Sequence, residues 1–232
     1  MAATLDAVSG VEAWDDTEHS FSFTCSGSER LLVVVATNRT SSGYASSMTY
    51  NSVSLSSIVQ INGDGNNPEI WYLINPDTGS NTLYIDSQNT DCGAVAICYN
   101  NIDQTTPLDA NAGDEYRNTQ NVSLPITTGV NNALIVTTVT DAGDGIDHTA
   151  GGTGHVEIAD GDTGSGAGQR RISVGHVLDA GSSGAKTPTW DTGNSGADGG
   201  WAAASFQATA GGGGAVLASM KQLVGHGVGT RS

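Results

Sequence analysis

The sequence predicts an all-β protein, a two-sheet antiparallel β-sandwich of jelly-roll-like type with pseudo-repeated halves. Period-two alternation and short apolar runs dominate, and no stretch before residue 211 sustains a helical period of 3.6. Turn-forming stretches such as NGDGNNP and NPDTGSN separate the runs, as short antiparallel strands require. The second half of the chain repeats the plan of the first, which favours two matching layers.

The first half contains six candidate strands. They are SFSFTC (20–25), RLLVVVAT (30–37), SMTYNSVSLSSIVQ (47–60), EIWYLIN (69–75), TLYIDS (82–87) and GAVAICYN (93–100). The third is interpreted as a hairpin that turns at Asn51 and Ser52. Ala94, Ala96 and Cys98 share one face of the last strand, while Val95, Ile97 and Tyr99 share the other. Because both faces are apolar, this strand is expected to be central and covered on both sides.

The second half contains a corresponding series of strands. They are NVSLPIT, ALIVTTVT, GHVEIAD, QRRISVGHVLD, KTPTW and GGWAAASFQAT. Gly27 precedes RLLVVVAT much as Gly129 precedes ALIVTTVT, and GAVAICY returns as WAAASF about a hundred residues later. Two sheets built from corresponding strands and packed face to face would use this duplication directly.

Three segments are predicted along the chain. Residues 1–17 form an N-terminal arm, 18–209 the β-sandwich domain, and 210–232 a glycine-rich linker with a C-terminal docking tail. Within the sandwich, segments 141–168 and 181–200 are rich in Gly, Ser, Thr and Asp. They are predicted to be long loops at one end of the sandwich, where a rigid β scaffold usually carries its binding residues.

The net charge of -16 arises from 24 acidic residues against 8 basic ones. Nucleic acid and anionic membrane are therefore disfavoured as partners, because both need clustered Lys and Arg. The sequence has no 18-residue apolar run, and its start lacks the order of a signal peptide. We expect the protein to stay where it is made or to leave by another route. Cys25, Cys92 and Cys98 lack metal-site spacing and do not predict a disulfide framework; Cys92 and Cys98 are predicted to be buried.

Carboxylates and histidines supply weak candidates for chemistry. His155 and Glu157 lie two residues apart in a predicted strand, close to Asp160 and Asp162, a set that could hold a metal ion or act in acid–base catalysis. Spacing provides no third ligand, no G-x-S-x-G elbow occurs, and the GxGxG of GHGVG follows no strand. The sequence therefore predicts no catalytic residue and no cofactor.

Calcium is the one ion that the loops could hold. Asp141, Asp144 and Asp147 recur at three-residue intervals in a glycine-rich loop, and carboxylate oxygens suit Ca²⁺. Asn62, Asp64 and Asn66 resemble the first half of an EF-hand loop, but position 73, where the bidentate Glu would stand, is Leu. Solvated turns are the alternative interpretation at both places, so no metal ion is predicted outright.

The tryptophans could include a platform for stacking a sugar ring. Trp71 and Trp201 lie inside apolar strands and are predicted to be core residues. Trp190, in TPTWDTG, is predicted to be exposed and is the candidate for glycan contact.

Five stretches carry a resemblance to a known kind of module. They are ERLLVVVAT, MTYNSVSLSSI, EIWYLINPDTGSNTL, GAVAICYNNIDQTTPLDA and GGWAAASFQAT. Together they resemble a β-sandwich module of tailed-phage virion proteins and of bacterial extracellular proteins, over roughly residues 18–209. The resemblance implies a structural or adhesive module without established catalytic residues.

The tail differs in charge from the body. Residues 1–210 hold all 24 acidic residues and six of the eight basic ones, so the body carries 6 − 24 = −18 and residues 211–232 carry +2. Four glycines make a flexible hinge, after which AVLASMKQL could form a short helix or an extended arm. The residues predicted to dock on a partner are Val216, Leu217, Met220, Lys221 and Leu223.

These features together favour a non-enzymatic virion protein, a capsid decoration (cement) protein on the outer surface of a tailed-phage head. It would be made in the host cytoplasm and bind the major capsid protein or other virion proteins. Symmetric placement on the shell favours a homotrimer. The alternative is a carbohydrate-binding or adhesive module acting extracellularly at a cell surface.

Overall fold

The computed structural model describes residues 1–39, 43–63, 65–87, 90–142, 146–163 and 169–209. Within these ranges the chain forms β-strands and no helix, so none of them contributes a helix that could span a membrane. The strands of the first half are β1 (Thr4–Val8), β2 (Glu12–Trp14), β3 (Glu18–Cys25), β4 (Leu31–Thr37), β5 (Ser47–Tyr50), β6 (Val53–Ser54), β7 (Ser56–Gln60), β8 (Glu69–Ile74), β9 (Gly79–Asp86) and β10 (Cys92–Asn100).

The second half continues with ten more strands. They are β11 (Leu108–Tyr116), β12 (Asn121–Ser123), β13 (Ile126–Thr128), β14 (Leu134–Ala142), β15 (Thr149–Gly151), β16 (Val156–Thr163), β17 (Arg170–Val177), β18 (Gly184–Lys186), β19 (Thr189–Asp191) and β20 (Gly199–Phe206). All pairings between these strands are antiparallel. The predicted all-β antiparallel fold is confirmed.

Each half builds one inner sheet and one outer layer. The first inner sheet has the order β1-β10-β4-β8-β7, with β2 also on β10, and the first outer sheet has the order β3-β9-β5-β6. The second inner sheet has the order β11-β20-β14-β17-β16. The second outer layer consists of two small sheets, β12-β19-β15 and β13-β18. The strands of the two inner sheets correspond in order, with β1, β10, β4, β8 and β7 matching β11, β20, β14, β17 and β16.

Three apolar clusters hold these layers together. The two inner sheets pack on each other through one cluster that includes Val33, Ile97, Val136 and Phe206. A second cluster lies between the first inner and outer sheets, and a third lies between the second inner sheet and its outer layer. The structure therefore adds an outer layer to each of the two face-to-face sheets that the repeat predicts.

The central strand β10 explains this layering. Val95, Ile97 and Tyr99 belong to the cluster between the inner sheets, whereas Ala94 and Cys98 belong to the cluster beneath the first outer sheet. All five side chains are fully buried. The prediction that this strand is central and covered on both faces is confirmed, because a strand with two apolar faces can bury both only between two layers.

The duplication extends to irregularities of the backbone. β1 has a bulge between Leu5 and Ala7, and β11 has one between Leu108 and Ala110. At the first bulge Asp6 accepts a hydrogen bond from Ser26 N at 2.6 Å. At the second, Asp109 accepts one from Gly129 N at 3.0 Å. The two LDA segments are therefore equivalent, and each ties an edge strand to the loop that precedes a central strand.

The cluster between the inner sheets has an approximate two-fold arrangement. By register, Leu31 corresponds to Leu134, so that Tyr99 corresponds to Phe206 and Tyr72 to His176. The rings of Tyr72 and Phe206 lie 6.1 Å apart at 54°, and those of Tyr99 and His176 lie 5.8 Å apart at 54°. The two halves thus face each other as two subunits of a symmetric dimer would.

The predicted hairpin at residues 47–60 is confirmed in its first part. Asn51 and Ser52 connect β5 to β6 and both have positive φ, 48° and 65°, as a two-residue type I′ turn requires. The chain then crosses to the edge of the first inner sheet, where β7 pairs with β8. One predicted segment therefore serves two different sheets.

Some strands were not predicted from the sequence. β1 and β2 lie within residues 1–17, interpreted as an N-terminal arm, and both pair with β10. β11 and β15 were also missed. β11 reads LDANAGDEY and lies at the edge of its sheet, where half-exposed polar positions weaken the apolar alternation on which the prediction depends.

Candidate functional site

A polar network occupies the outer face of the second inner sheet, at the end where β14 finishes. Five side chains form its centre: Asp141 from β14, His148 from the following loop, Asp160 from β16, and Arg171 and Ser173 from β17. We call this set the His148 network. All of its members except Asp160 are buried by whole-residue exposure, and the Asp160 side chain is only 9% exposed.

Three members form a chain of serine, histidine and aspartate. Ser173 Oγ lies 2.8 Å from His148 Nδ1, and His148 Nε2 lies 3.1 Å from Asp141 Oδ2. Ser173 Oγ also lies 2.6 Å from Asp160 Oδ1. A hydroxyl has one proton, so it can donate to only one of these two neighbours.

The groups around Asp160 determine which neighbour accepts the hydrogen bond from the Ser173 hydroxyl. Arg171 Nε donates to Asp160 Oδ1 at 2.7 Å and its Nη2 donates to the other oxygen, so both Asp160 oxygens act as acceptors. Ser173 therefore donates to Asp160, and His148 Nδ1 donates to Ser173. His148 Nε2 lies against Asp141 on the other side of the ring.

This arrangement differs from a catalytic triad. In a triad the histidine nitrogen next to the serine accepts the hydroxyl proton. In the His148 network that nitrogen is a donor, and Ser173 is 0% exposed, so no substrate reaches its oxygen. The network instead holds β14, β16, β17 and the loop at 146–148 together.

Asp147 and Asp162 extend the network toward solvent. Asp147 Oδ1 accepts from Arg171 Nη2 at 2.5 Å, and Asp162 Oδ1 accepts from Nη1 at 3.3 Å. Burial by itself would lower the pKa of Arg171, but the hydrogen bonds and charges of Asp160 and Asp162 outweigh it and raise that pKa. The charged Arg171 side chain thus forms ion pairs with three carboxylates, those of Asp147, Asp160 and Asp162.

The calcium candidates occupy this region without forming a free carboxylate cluster. Asp141 contacts His148 and Asp147 contacts Arg171, so side chains of the protein itself already occupy both carboxylates. Asp144, like Asp64 of the Asn62-x-Asp64-x-Asn66 stretch, lies outside the described residues. In the part of the chain that the structure describes, no three His, Cys, Asp or Glu side chains are grouped to hold a metal ion.

The first half has a buried polar centre at the matching position. Glu69, which corresponds by register to Ser173, is completely buried and accepts hydrogen bonds from Trp71 Nε1 at 2.8 Å and Ala45 N at 3.0 Å. Gln60 Nε2 donates at 3.2 Å. Burial raises the pKa of Glu69, and these three donors oppose the increase.

His155 is a structural residue in the second outer layer. Its Nδ1 lies 3.0 Å from Gly151 O and 3.1 Å from Thr189 O, so this nitrogen is the donor. Its Nε2 accepts from Thr137 Oγ1 at 2.7 Å. Burial lowers the pKa of His155, which favours this neutral form. Glu157 lies on the exposed side of the chain, so the two do not form the shared site suggested by their spacing.

Trp190 is not exposed, and the prediction of exposure is wrong. It is 0% exposed, packs in the cluster beneath the second outer layer, and its ring lies 5.1 Å from that of His155 at 90°. A ring in this position cannot stack on a sugar. The local sequence TPTWDTG is polar, but Trp190 alternates with Thr189 and Asp191 on β19 and takes the inward face.

Trp71, Trp201 and the cysteines are buried. The core prediction for Trp71 and Trp201 is confirmed, at 7% and 6% exposure. Cys25, Cys92 and Cys98 are free thiols in the interior, as predicted for the last two. Burial raises the pKa of Cys92 to about 12, so its thiol stays protonated at neutral pH.

An open cavity of ≈ 410 Å³ lies in the second half, away from the His148 network. Ile135 of β14, Val177 of β17 and Pro188 form its apolar part. Thr153, Asp179 and Lys186 supply polar groups at its rim. Segments 141–168 and 181–200, predicted to carry binding residues, supply Thr153, Gly181 and Ala185 to Pro188 of its lining. The cavity itself was not predicted, because its lining comes from four separate segments of the chain.

The body surface is acidic, and its cations are already engaged. The body contains Arg30, Arg39, Arg117, Arg170, Arg171 and Lys186. Each of them makes a hydrogen bond or an ion pair within the chain. Such a surface attracts cationic partners and repels polyanions.

The two ends of the body lie side by side. The N-terminal amine of Met1 donates to Thr209 O, and Thr209 N donates to Asn101 O at 2.8 Å. Asn101 Nδ2 also donates to Ala2 O at 3.1 Å. Thr209 therefore lies at the end of the inner sheets opposite the His148 network. The predicted docking residues Val216, Leu217, Met220, Lys221 and Leu223 lie outside the described residues.

Comparison with protein-family models, with curated proteins and with solved structures finds no match for this chain. The functional argument therefore depends on the residues and contacts above.

Proposed function

We propose that this protein is a non-enzymatic structural protein of a tailed-phage virion, a capsid decoration protein that binds the outer surface of the head. Residues 211–232 act as its anchor, and the body is a rigid spacer exposed to solvent. The observation that carries the proposal is the contact of Thr209 with Met1 and Asn101, which fixes the point from which a positively charged tail leaves an acidic body.

Rigidity of the body supports a structural role. The two inner sheets share one continuous apolar cluster, and each also packs on an outer layer. In the His148 network, Ser173 is buried and its hydroxyl donates to Asp160. A solvent-exposed shell protein needs this resistance to local unfolding rather than an accessible nucleophile.

Charge supports the direction of docking. The tail has two basic residues and no acidic residue, whereas the body has a charge of 6 − 24 = −18. The tail would insert Val216 and Met220 into a partner, while the acidic bodies of neighbouring copies repel one another. Placement at symmetric positions of a shell favours a trimer, with the major capsid protein as the partner.

Charge-insertion variants of the full chain test the anchor. Val216→Asp/Met220→Asp places two charges on the proposed apolar stripe, and Ser219→Asp/Gln222→Asp places the same two charges beside it. We expect the first variant to stop co-sedimenting with heads of tailed phages and the second to keep co-sedimenting. Light scattering on the same samples reports the oligomer. Failure of the unmodified chain to bind heads, or equal loss in both variants, would overturn the proposal.

A further inference from the structure

The outer layers of the two halves differ at one place. In the first half, β3 and β9 form an unbroken ladder from Glu18 to Cys25, and β5 runs along the other side of β9. In the second half the corresponding ladder is divided into β12-β19 and β13-β18. Among the strands that the structure describes, β15 pairs only with β19, and β18 pairs only with β13.

Two prolines accompany this division. Pro125 separates β12 from β13, and Pro188 precedes β19 after β18. Proline lacks an N–H and cannot donate to a ladder, so it interrupts pairing. A single hydrogen bond, from Leu124 N to Pro188 O at 2.9 Å, bridges the interruption. Ala185 and Lys186 of β18 line the cavity.

The cavity has the size of a small-ligand site. Its volume of ≈ 410 Å³ lies in the lower part of the range of about 300 to 1,000 Å³ typical of such sites. Asp179 and Lys186 both line it, and none of the ion pairs between described residues joins the two. Lys186 Nζ donates to Ser182 O at 2.6 Å, which uses one of its three protons.

The charges of the residues that line the cavity indicate the kind of ligand. One carboxylate and one ammonium group give a cavity that is neutral as a whole, within a chain of net charge -16 that repels anions. The hydroxyls of Thr153 and Thr187 can donate and accept, and Pro188 and Val177 offer apolar surface. A ligand that matches this set has neighbouring hydroxyls on one side and C–H groups on the other.

We infer that this cavity binds a neutral pyranose unit of a glycan. Two adjacent sugar hydroxyls donate to the free oxygen of Asp179 and accept from Lys186, and the C–H face of the ring packs on Pro188. The inference does not depend on the proposed anchor, since the cavity lies within the described body. A decoration protein with such a site would also attach its particle weakly to sugar-coated surfaces.

Titration of the isotope-labelled full chain tests the site. The probes are methyl α-glucopyranoside, methyl α-galactopyranoside, methyl α-mannopyranoside and N-acetylglucosamine, with free glycine as a zwitterion of comparable polarity. We expect at least one sugar to shift the backbone amide signals of Gly181 and Lys186 saturably, with a Kd on the order of 1 mM.

A matched pair of aspartates provides the control. Asp179 Oδ1 accepts from Gly181 N at 2.9 Å, and Asp191 Oδ1 accepts from Gly193 N at 2.8 Å, so the two make the same turn. Asp179→Asn should raise the Kd about tenfold, whereas Asp191→Asn should leave it unchanged. No saturable shift with any sugar up to about 50 mM, saturation by glycine alone, or equal effects of the two variants would overturn the inference.

Discussion

The Tyr99 hydroxyl donates a hydrogen bond to His176 Nδ1 at 3.2 Å, across the contact between the two inner sheets. Tyr99 belongs to β10 of the first half and His176 to β17 of the second, and both are buried. Burial raises the pKa of Tyr99 and lowers that of His176, so the phenol keeps its proton and the imidazole stays neutral. This is a polar contact within an otherwise apolar cluster, and it fixes how the halves face each other.

Removing this hydroxyl should destabilise the fold. Tyr99→Phe leaves the buried Nδ1 of His176 without its donor, which should lower the free energy of unfolding by about 1 to 3 kcal/mol. Tyr72→Phe is the control, because Tyr72 lies at the two-fold equivalent of His176 and no hydrogen bond of its hydroxyl is recorded within the described residues. Urea denaturation compares the variants. Equal stability of both would show that the cross-sheet hydrogen bond contributes nothing.

His176 should make the fold sensitive to mild acid. Burial, assisted by repulsion from His155 once acid protonates it, lowers the pKa of His176 from 6.5 to about 4 in the folded protein. Between these values the unfolded chain binds more protons, so the stability that depends on neutral His176 is present above pH 6.5 and is lost as the pH falls toward 4. Allowing for partial solvent screening, the loss should be on the order of 2 kcal/mol.

The variant His176→Gln isolates this contribution. Its free energy of unfolding should fall less than that of the unmodified chain between pH 7 and pH 4, measured by urea denaturation at each pH. Carboxylates titrate in both proteins, so the difference between the two curves is the measured quantity. Parallel curves would contradict the assignment to His176.

Arg171 should be essential to the second half. In Arg171→Met the Asp160 carboxylate remains buried without its bidentate partner, and the free energy of unfolding should fall by about 3 kcal/mol or more. Arg117→Met removes an exposed ion pair with Glu115 and should cost less than about 1 kcal/mol. Thermal unfolding followed by circular dichroism compares them. A small effect at Arg171 would mean that the His148 network is not a structural support.

The turn between β5 and β6 should accept glycine with a gain in stability. Ser52 has φ of 65°, a conformation that costs an L-residue more than glycine. Ser52→Gly creates the Asn-Gly sequence preferred by type I′ turns and should raise the free energy of unfolding by about 0.5 kcal/mol. Ser54→Gly, in the adjacent strand β6, should lower it. A loss of stability in Ser52→Gly would contradict the turn type.

Local pattern decided much of the fold. Asn51 and Ser52 predicted their turn, and the two apolar faces of the strand at 93–100 predicted its central place. Both follow from the sequence because turn chemistry and side-chain alternation are properties of a few neighbouring residues. The duplication was also readable from the return of GAVAICY as WAAASF. The equivalent LDA segments, Leu5 to Ala7 and Leu108 to Ala110, are a further signal that the sequence carries.

The sequence by itself determined an acidic all-β chain with repeated strands, apolar central positions and a basic tail of different composition. Only the tertiary structure decided which polar residues meet. Ser173, His148 and Asp160 come from a strand, a loop and another strand. The direction of the hydrogen bonds between them depends on interatomic distances that their separation in the sequence does not determine. Trp190 lies in a polar segment yet faces inward, because the packing of the second outer layer, rather than its neighbours in sequence, determines its burial.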